Sequence, residues 1–180
     1  MSTWKIDPAH TDVSFSAKHL MITTVRGKFD RVEGEVVLDE ADPLASRGEI
    51  RIGAASLSTG SEQRDTHLRS ADFFDVERYP WIVAQATAIE QQGDTYRIHA
   101  AVTIRDETHP VTFETEFLGI VPGLGGKRHA GFHLSGTVNR EDWGVSWNMA
   151  LEAGGLLVSK EINLDIDVAV DEVGEPAPAG

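Results

Sequence analysis

The dominant hydrophobic period along this chain is two. Over residues 96–105, Tyr96, Ile98, Ala100, Val102 and Ile104 alternate with Arg97, His99, Ala101, Thr103 and Arg105. Over 161–170, Ile162, Leu164, Ile166, Val168 and Val170 alternate with Asn163, Asp165, Asp167 and Ala169. Each run reads as a strand with one buried face and one wet face. Shorter alternations occupy 13–19, 49–54, 81–89, 111–117 and 130–138. Residues 25–38 change phase midway. Val25, Gly27 and Phe29 share one face, whereas Val32, Gly34, Val36 and Leu38 share the other, which predicts a bulge or bend near Asp30 and Arg31.

The links between these runs suit antiparallel neighbours. Gln92-Gly93-Asp94 joins two of them as a hairpin turn. Residues 105–110 make a second tight connection, with Pro110 expected at a strand start, and 121–127 (VPGLGGK) form a Gly/Pro loop. About eight strands with short links and no strand–helix repeat indicate an all-β meander. Two stacked sheets and one closed barrel both satisfy this periodicity.

One segment departs from it. Residues 58–74 (STGSEQRDTHLRSADFF) are polar and lack the period of two. Ser61 or Thr59 can cap about two turns of helix near 62–69, after which a loop turns Phe73 and Phe74 inward. Residues 1–172 read as one domain, and 173–180 as a flexible, acidic, Pro/Ala-rich tail.

The apolar phase of the strands predicts the interior. It contains Val13, Phe15, Val25, Phe29, Ile50, Ile52, Tyr96, Ile98, Val102, Ile104, Val111, Phe113, Phe117, Phe132, Leu134 and the 162–170 set, with no charged residue. Ala17, Ala54, Ala100, Thr115, Ala130 and Gly136 share that phase. Small residues among large ones either leave a hollow or interdigitate with large partners opposite, and an eight-stranded barrel permits both. If there is a hollow, its ligand is apolar, because an uncharged wall does not compensate a desolvated charge.

Composition narrows the chemistry. Zero cysteines exclude disulfides, thiolate metal sites and cysteine nucleophiles. A net charge of −13 over 180 residues argues against nucleic acid and against electrostatic docking on anionic lipid. No run approaches the ~20 apolar residues of a membrane span. The first residues lack a basic, apolar leader, so a cytoplasmic location is expected. Seven histidines invite a metal reading, yet no HExxH is present. His129 and His133 would share a strand face about 13 Å apart, too far for one ion. No metal site is expected.

Two polar clusters remain. Glu62, Gln63, Arg64, Asp65, His67 and Arg69 form either a solvated helix with internal pairs or a buried ionic or head-group site. Residues 139–147 hold two of the four tryptophans outside any clean strand, where they either cap a cavity mouth or close one end of a core.

These clusters also carry a resemblance. Trp4-x-Ile6-Asp7-x-x-His10-Thr11-x-Val13-x-Phe15, His19 and Val25-x-Gly27-x-Phe29 open it. Thr59-Gly60-x-x-x-Arg64-Asp65-x-His67-Leu68-x-x-x-Asp72-Phe73-Phe74-Asp75 and Tyr79-Pro80 continue it. Val102-Thr103-Ile104-Arg105-x-x-Thr108-x-Pro110-Val111, Gly131-Phe132 and Asn139-Arg140-x-Asp142-Trp143-Gly144 complete it. In order and over about residues 3–170, the chain resembles the YceI-like polyisoprenoid-binding family.

The resemblance implies an extended, eight-stranded, lipocalin-like antiparallel barrel with one short helix, a long apolar cavity and no catalytic residues. It implies an isoprenoid tail against Phe15, Phe29, Phe73, Phe74, Ile104, Phe113, Phe132, Trp143 and Trp147. The polar head is expected near His10, His19, Arg64, His67, Asn139 and Arg140. The expected ligand is a polyprenyl or quinone-type lipid, with no separate cofactor and no nucleic acid; a homodimer stays open. The rival expectation is an enzyme acting on a hydrophobic molecule through Arg64, Asp65 and His67.

Overall fold

The computed structural model describes residues 1–149 and 157–174. Strands β1 (Ser2–Ile6), β2 (Asp12–His19), β3 (Thr23–Phe29), β4 (Val32–Leu38), β5 (Arg47–Gly53) and β6 (Leu57–Ser58) come first. Helix α1 (Glu62–Arg69) follows, then β7 (Trp81–Gln92), β8 (Thr95–Ile104), β9 (Glu107–Pro122), β10 (Arg128–Asn139) and β11 (Glu161–Gly174).

The first six strands are three long strands, each broken once. β1 and β2 run end to end along the same edge of β11. β4 pairs with β1 and β3 with β2, while β5 pairs with β4 and β6 with β3. Counted this way, eight antiparallel strands follow in chain order, and the β1–β11 pairing closes them into a barrel. Closure decides between sandwich and barrel, since the first and last strands pair with each other instead of ending two separate sheets.

The phase change falls where the pattern placed it. β3 ends at Phe29 and β4 begins at Val32, so two residues outside the ladder return both side chains to the interior. The skipped backbone is still satisfied: Arg31 N–H donates to Ser56 Oγ at 3.0 Å, and Gly53 N–H donates to Arg31 O at 2.8 Å. Gly93, at φ +62°, makes the two-residue β7–β8 turn.

Three features depart from the sequence pattern. β1 is too short to show a period, yet it seats the fully buried Trp4 between β4 and β11. Pro110 lies inside β9, opposite Ala101, and not at its start. It is tolerated there because β10 pairs no further along β9 than Glu114, leaving that flank without a neighbour. β11 continues through Gly174, so residues 173 and 174 belong to the barrel and not to a tail. Arg128 holds that end, donating to both Glu172 carboxylate oxygens at 2.7 and 2.6 Å. This paired arrangement keeps the Glu172 carboxyl below its usual range. The rest of the predicted tail lies outside the described residues.

The connections sort to two ends. The β2–β3 hairpin, α1, the β8–β9 turn and the stretch after β10 gather at one end, called here the α1 end. The β4–β5, β7–β8 and β9–β10 links and the strand ends at Ser2 and Gly174 gather at the other.

Candidate functional site

A cavity of about 1000 Å³ runs inside the barrel. Every member of the predicted apolar phase lines it, from Val13 on β2 to Val170 on β11. The small positions divide. Ala17, Ala100 and Thr115 face the cavity, whereas Ala54 and Ala130 are buried outside its lining. A Cβ on Gly136 would meet the Phe113 ring at 3.3 Å, so this position does interdigitate with a large partner. Gly27 does the same work more severely: a Cβ there would sit 2.4 Å from Phe15 Cζ. Glycine at 27 is what lets the Phe15 ring lie across β3.

All nine residues expected beside an apolar tail border this cavity. At the α1 end they form linked aromatic groups: Phe15 to Phe29 at 5.3 Å, Phe29 to Phe74 at 5.7 Å, and Phe73 to Trp147 at 5.5 Å between ring centroids.

Helix α1 is set by its own sequence. Ser61 is the cap, accepting from Arg64 N–H at 3.4 Å. Asp65 and Arg69 share a face, as spacing i, i+4 requires, and fasten the helix to the strand below it. Asp65 Oδ1 accepts from Thr59 N–H at 2.9 Å and from its hydroxyl at 2.6 Å. Arg69 donates to Ala55 O at 3.0 Å and Leu57 O at 2.8 Å. The loop that follows folds back, Phe74 N–H donating to Leu68 O at 3.0 Å, and delivers Phe73 and Phe74 to the cavity.

This geometry divides the Arg64, Asp65 and His67 trio. Asp65 is buried against Thr59, away from His67. The partner of His67 is Asp72, at 2.8 Å, and its ring packs edge-on against Phe73 and Trp147. Arg64 donates to Thr59 Oγ1 and O at 2.7 and 2.8 Å. Arg64 and Asp65 therefore meet on one residue, Thr59, whereas His67 is paired with Asp72, so the three side chains do not converge on one point.

Of the six residues expected at a polar head, His19, Arg64, His67 and Arg140 border the cavity. His10 and Asn139 do not. His10 has an exposed ring on the link between β1 and β2, 2.6 Å from the Asp7 carboxylate. That hydrogen bond is the main reason the Asp7 carboxyl is held below its usual value. Asn139 is exposed and caps the short 3₁₀ turn Arg140–Trp143, accepting from Glu141 N–H at 3.0 Å. Both belong to local turns, a use that a sequence motif does not distinguish from ligand contact.

Arg140 is buried, and its guanidinium holds the chain. It donates to Ser159 O at 2.9 Å and Val145 O at 2.7 Å, with Val158 O at 3.5 Å. Burial pushes its pKa down, opposed by the nearby Glu141 charge. Trp143 is also buried, donating its indole N–H to Val102 O at 2.9 Å. Val145, Leu157 and Val158 complete the wall here. Sequence reasoning missed these three, because they lie outside regular alternation.

Among the described residues charge enters the cavity lining only toward its ends, a refinement of the uncharged interior expected from the strands. Lys18, Arg64 and Arg140, with His19 and His67, stand at the α1 end; Asp39, Glu40 and Arg47 stand at the other. A separate polar group lies on the exposed face of β10 and β11, where His133 is 2.7 Å from Asp167 and 3.9 Å from Asp165. Ligand atoms of the three lie within 4.8 Å of one another, an arrangement the His129–His133 spacing did not anticipate. The Asp167 hydrogen bond, with the Asp165, Asp167 and Glu116 charges, raises the His133 pKa.

Comparison with known proteins places this geometry in a family. A YceI-like domain matches residues 4–170. A UPF0312 protein of Staphylococcus epidermidis is 34% identical over 166 residues, covering 92% of this chain and 95% of that protein. The crystal structure of a Campylobacter jejuni YceI protein is 27% identical with a TM-score of 0.72, covering 89% of this chain and 90% of that one. Burkholderia cenocepacia BcnA shares the fold at 19% identity and a TM-score of 0.79, covering 91% and 98%. A polyisoprenoid binding domain from Saccharophagus degradans shares it at 11% identity and a TM-score of 0.67, covering 96% and 100%.

Proposed function

The chain belongs to the YceI-like family, and we propose that it sequesters or carries an amphiphilic isoprenoid, a polyprenyl lipid or an isoprenoid quinone. The observation that carries this reading is the cavity of about 1000 Å³ whose charged lining residues, among those described, stand only near its ends. Its wall offers a flexible hydrocarbon chain dispersion contacts along the barrel, and each buried CH₂ contributes about 0.8 kcal/mol. A charged or strongly hydrated ligand would lose its water there with nothing to replace it. The tail lies against Phe15, Phe29, Ile104 and Phe113, and the head sits by His19, Arg64 and His67 at the α1 end. The Saccharophagus degradans domain lends the reading support as a polyisoprenoid binder on the same fold; the cargo is argued from this chain's own wall.

Solvent extraction of the purified protein followed by mass spectrometry tests it. An isoprenoid chain should co-purify; a protein that yields none, and takes up none when offered, refutes the reading. Ala100→Leu intrudes on the cavity from a buried position. It should leave the circular dichroism spectrum unchanged, cost about 1–3 kcal/mol or less in stability, and abolish or shorten the bound lipid.

A further inference from the structure

The β2–β3 hairpin ends in an unusual tip. Leu20, Met21 and Ile22 are 40%, 58% and 78% exposed, consecutive and apolar. Leu20 and Met21 hold φ of +53° and +65°, the left-handed region that favours Gly, Asn or Asp in such turns. Neither folding nor solubility accounts for bulky apolar side chains in that conformation, and a function at the tip would. The patch continues sideways. Leu20 N–H donates to Leu157 O, and Leu157 N–H donates to Met149 O, bringing in Met149, which is 56% exposed.

Basic side chains flank this tip. Lys18, Arg26 and Lys160 are exposed on the strands and loop beside it. Ser159, next to Lys160, bonds the Lys18 backbone at both N–H and O. Among the described residues the cavity rim at this end adds His19, Arg64, His67 and Arg140, and no acid. Several acids of this end are engaged locally: Asp65 by Thr59, Asp72 by His67, and Glu141 by Lys160. Glu62, Glu77, Asp106, Glu107, Asp142 and Glu161 remain exposed. The opposite rim carries Asp39 and Glu40 with Arg47. Lys18 and Arg26, both exposed, therefore stand closest to the tip as the cations an anionic surface would meet.

We propose that the Leu20-Met21-Ile22 tip docks the α1 end onto an anionic lipid bilayer, its apolar side chains entering the interface while Lys18 and Arg26 meet the head groups. The tip adjoins the cavity rim, so docking faces the cavity toward the bilayer that would supply or receive its lipid. That purpose rests on the lipid-cargo reading; the docking geometry does not. Apolar insertion backed by cationic flanks is how interfacial segments hold to membranes.

The test uses the full chain with two sets of vesicles, phosphatidylcholine alone and phosphatidylcholine with phosphatidylglycerol. Wild-type protein should co-sediment with the anionic vesicles and release as salt rises. Met21→Asp with Ile22→Asp should lower that binding by about tenfold or more. Asp tolerates the left-handed region better than Met, so this variant keeps its fold, which a thermal melt checks. Met21→Gly with Ile22→Ser, which adds no charge, should show the same direction of loss. Equal binding by wild type and both variants overturns the proposal, as does no wild-type binding. A variant that loses a wild-type dimer by light scattering overturns it too, since a second copy would then be the occupant. Lipid extraction is run in parallel: lipid without vesicle binding refutes the docking alone, and vesicle binding without extracted lipid refutes the cargo reading alone.

Discussion

The barrel wall and its α1 end are built by different means. In the wall, β8 against β9 pairs Tyr96 with Thr115 through Ile104 with Glu107, and side-chain direction follows from alternation alone. At the α1 end, position depends on side chains that reach for backbone. Arg140 gathers Val145, Val158 and Ser159, Arg69 gathers Ala55 and Leu57, and Trp143 is tied to Val102. A ladder distributes its stability over many equivalent bonds, whereas a few arginines concentrate it. Damage to the wall should therefore act globally, and damage to the α1 end should act locally first.

Phe113→Ala should give the largest effect. Phe113 is buried in the wall and contacts the cavity, so its loss should cost about 3–5 kcal/mol in urea denaturation and enlarge the hollow. A cost below about 1 kcal/mol would mean the wall is plastic, and the contrast with the α1 end would fail. Arg140→Met should cost less, about 1–3 kcal/mol, because it leaves carbonyl oxygens without donors but also removes a desolvated charge. Its signature is spatial. Amide exchange should quicken in 145–149 and 157–160 while β8 and β9 stay protected. Equal quickening in both would show that the two regions unfold as one.

The smallest effect lies on the outer face of the wall. The raised His133 pKa means the folded state binds the proton more tightly than the unfolded chain does. Its contribution is complete below the ordinary value of 6.5 and is lost as pH rises through the higher folded value. The side chain is 36% exposed, so screening limits the gain to less than about 0.5 kcal/mol. His133→Gln should lower the melting temperature slightly at acid pH and leave it unchanged in alkaline buffer. A deficit that grew with pH would reverse the sign and place the histidine in another role.

The same division separates what was legible in the chain from what was not. The cavity wall was readable because a period of two leaves each side chain only two directions, and burial selects one. The break at Asp30 and Arg31 was readable as a change of that phase, and α1 as a cap followed by polar residues. His10 and Asn139 misled, because a short polar side chain beside a turn bonds its own backbone or a near neighbour as readily as it meets a ligand. Leu20 and Met21 gave no warning at all: their backbone conformation is imposed by the hairpin register, from Val13 opposite Phe29 to His19 opposite Thr23.

Sequence by itself determined the strand phases, the uncharged inner face and the length of α1, since each depends on neighbours along the chain. Tertiary structure alone decided that the sheet closes, that the inner face encloses a cavity of about 1000 Å³, and that charge sorts to its two ends. Those outcomes depend on Trp4 and Glu172 at the two chain extremes meeting across the β1–β11 seam. No local pattern encodes a contact between residues 168 positions apart; only the closed ladder, which pairs β1 with β11, brings them together.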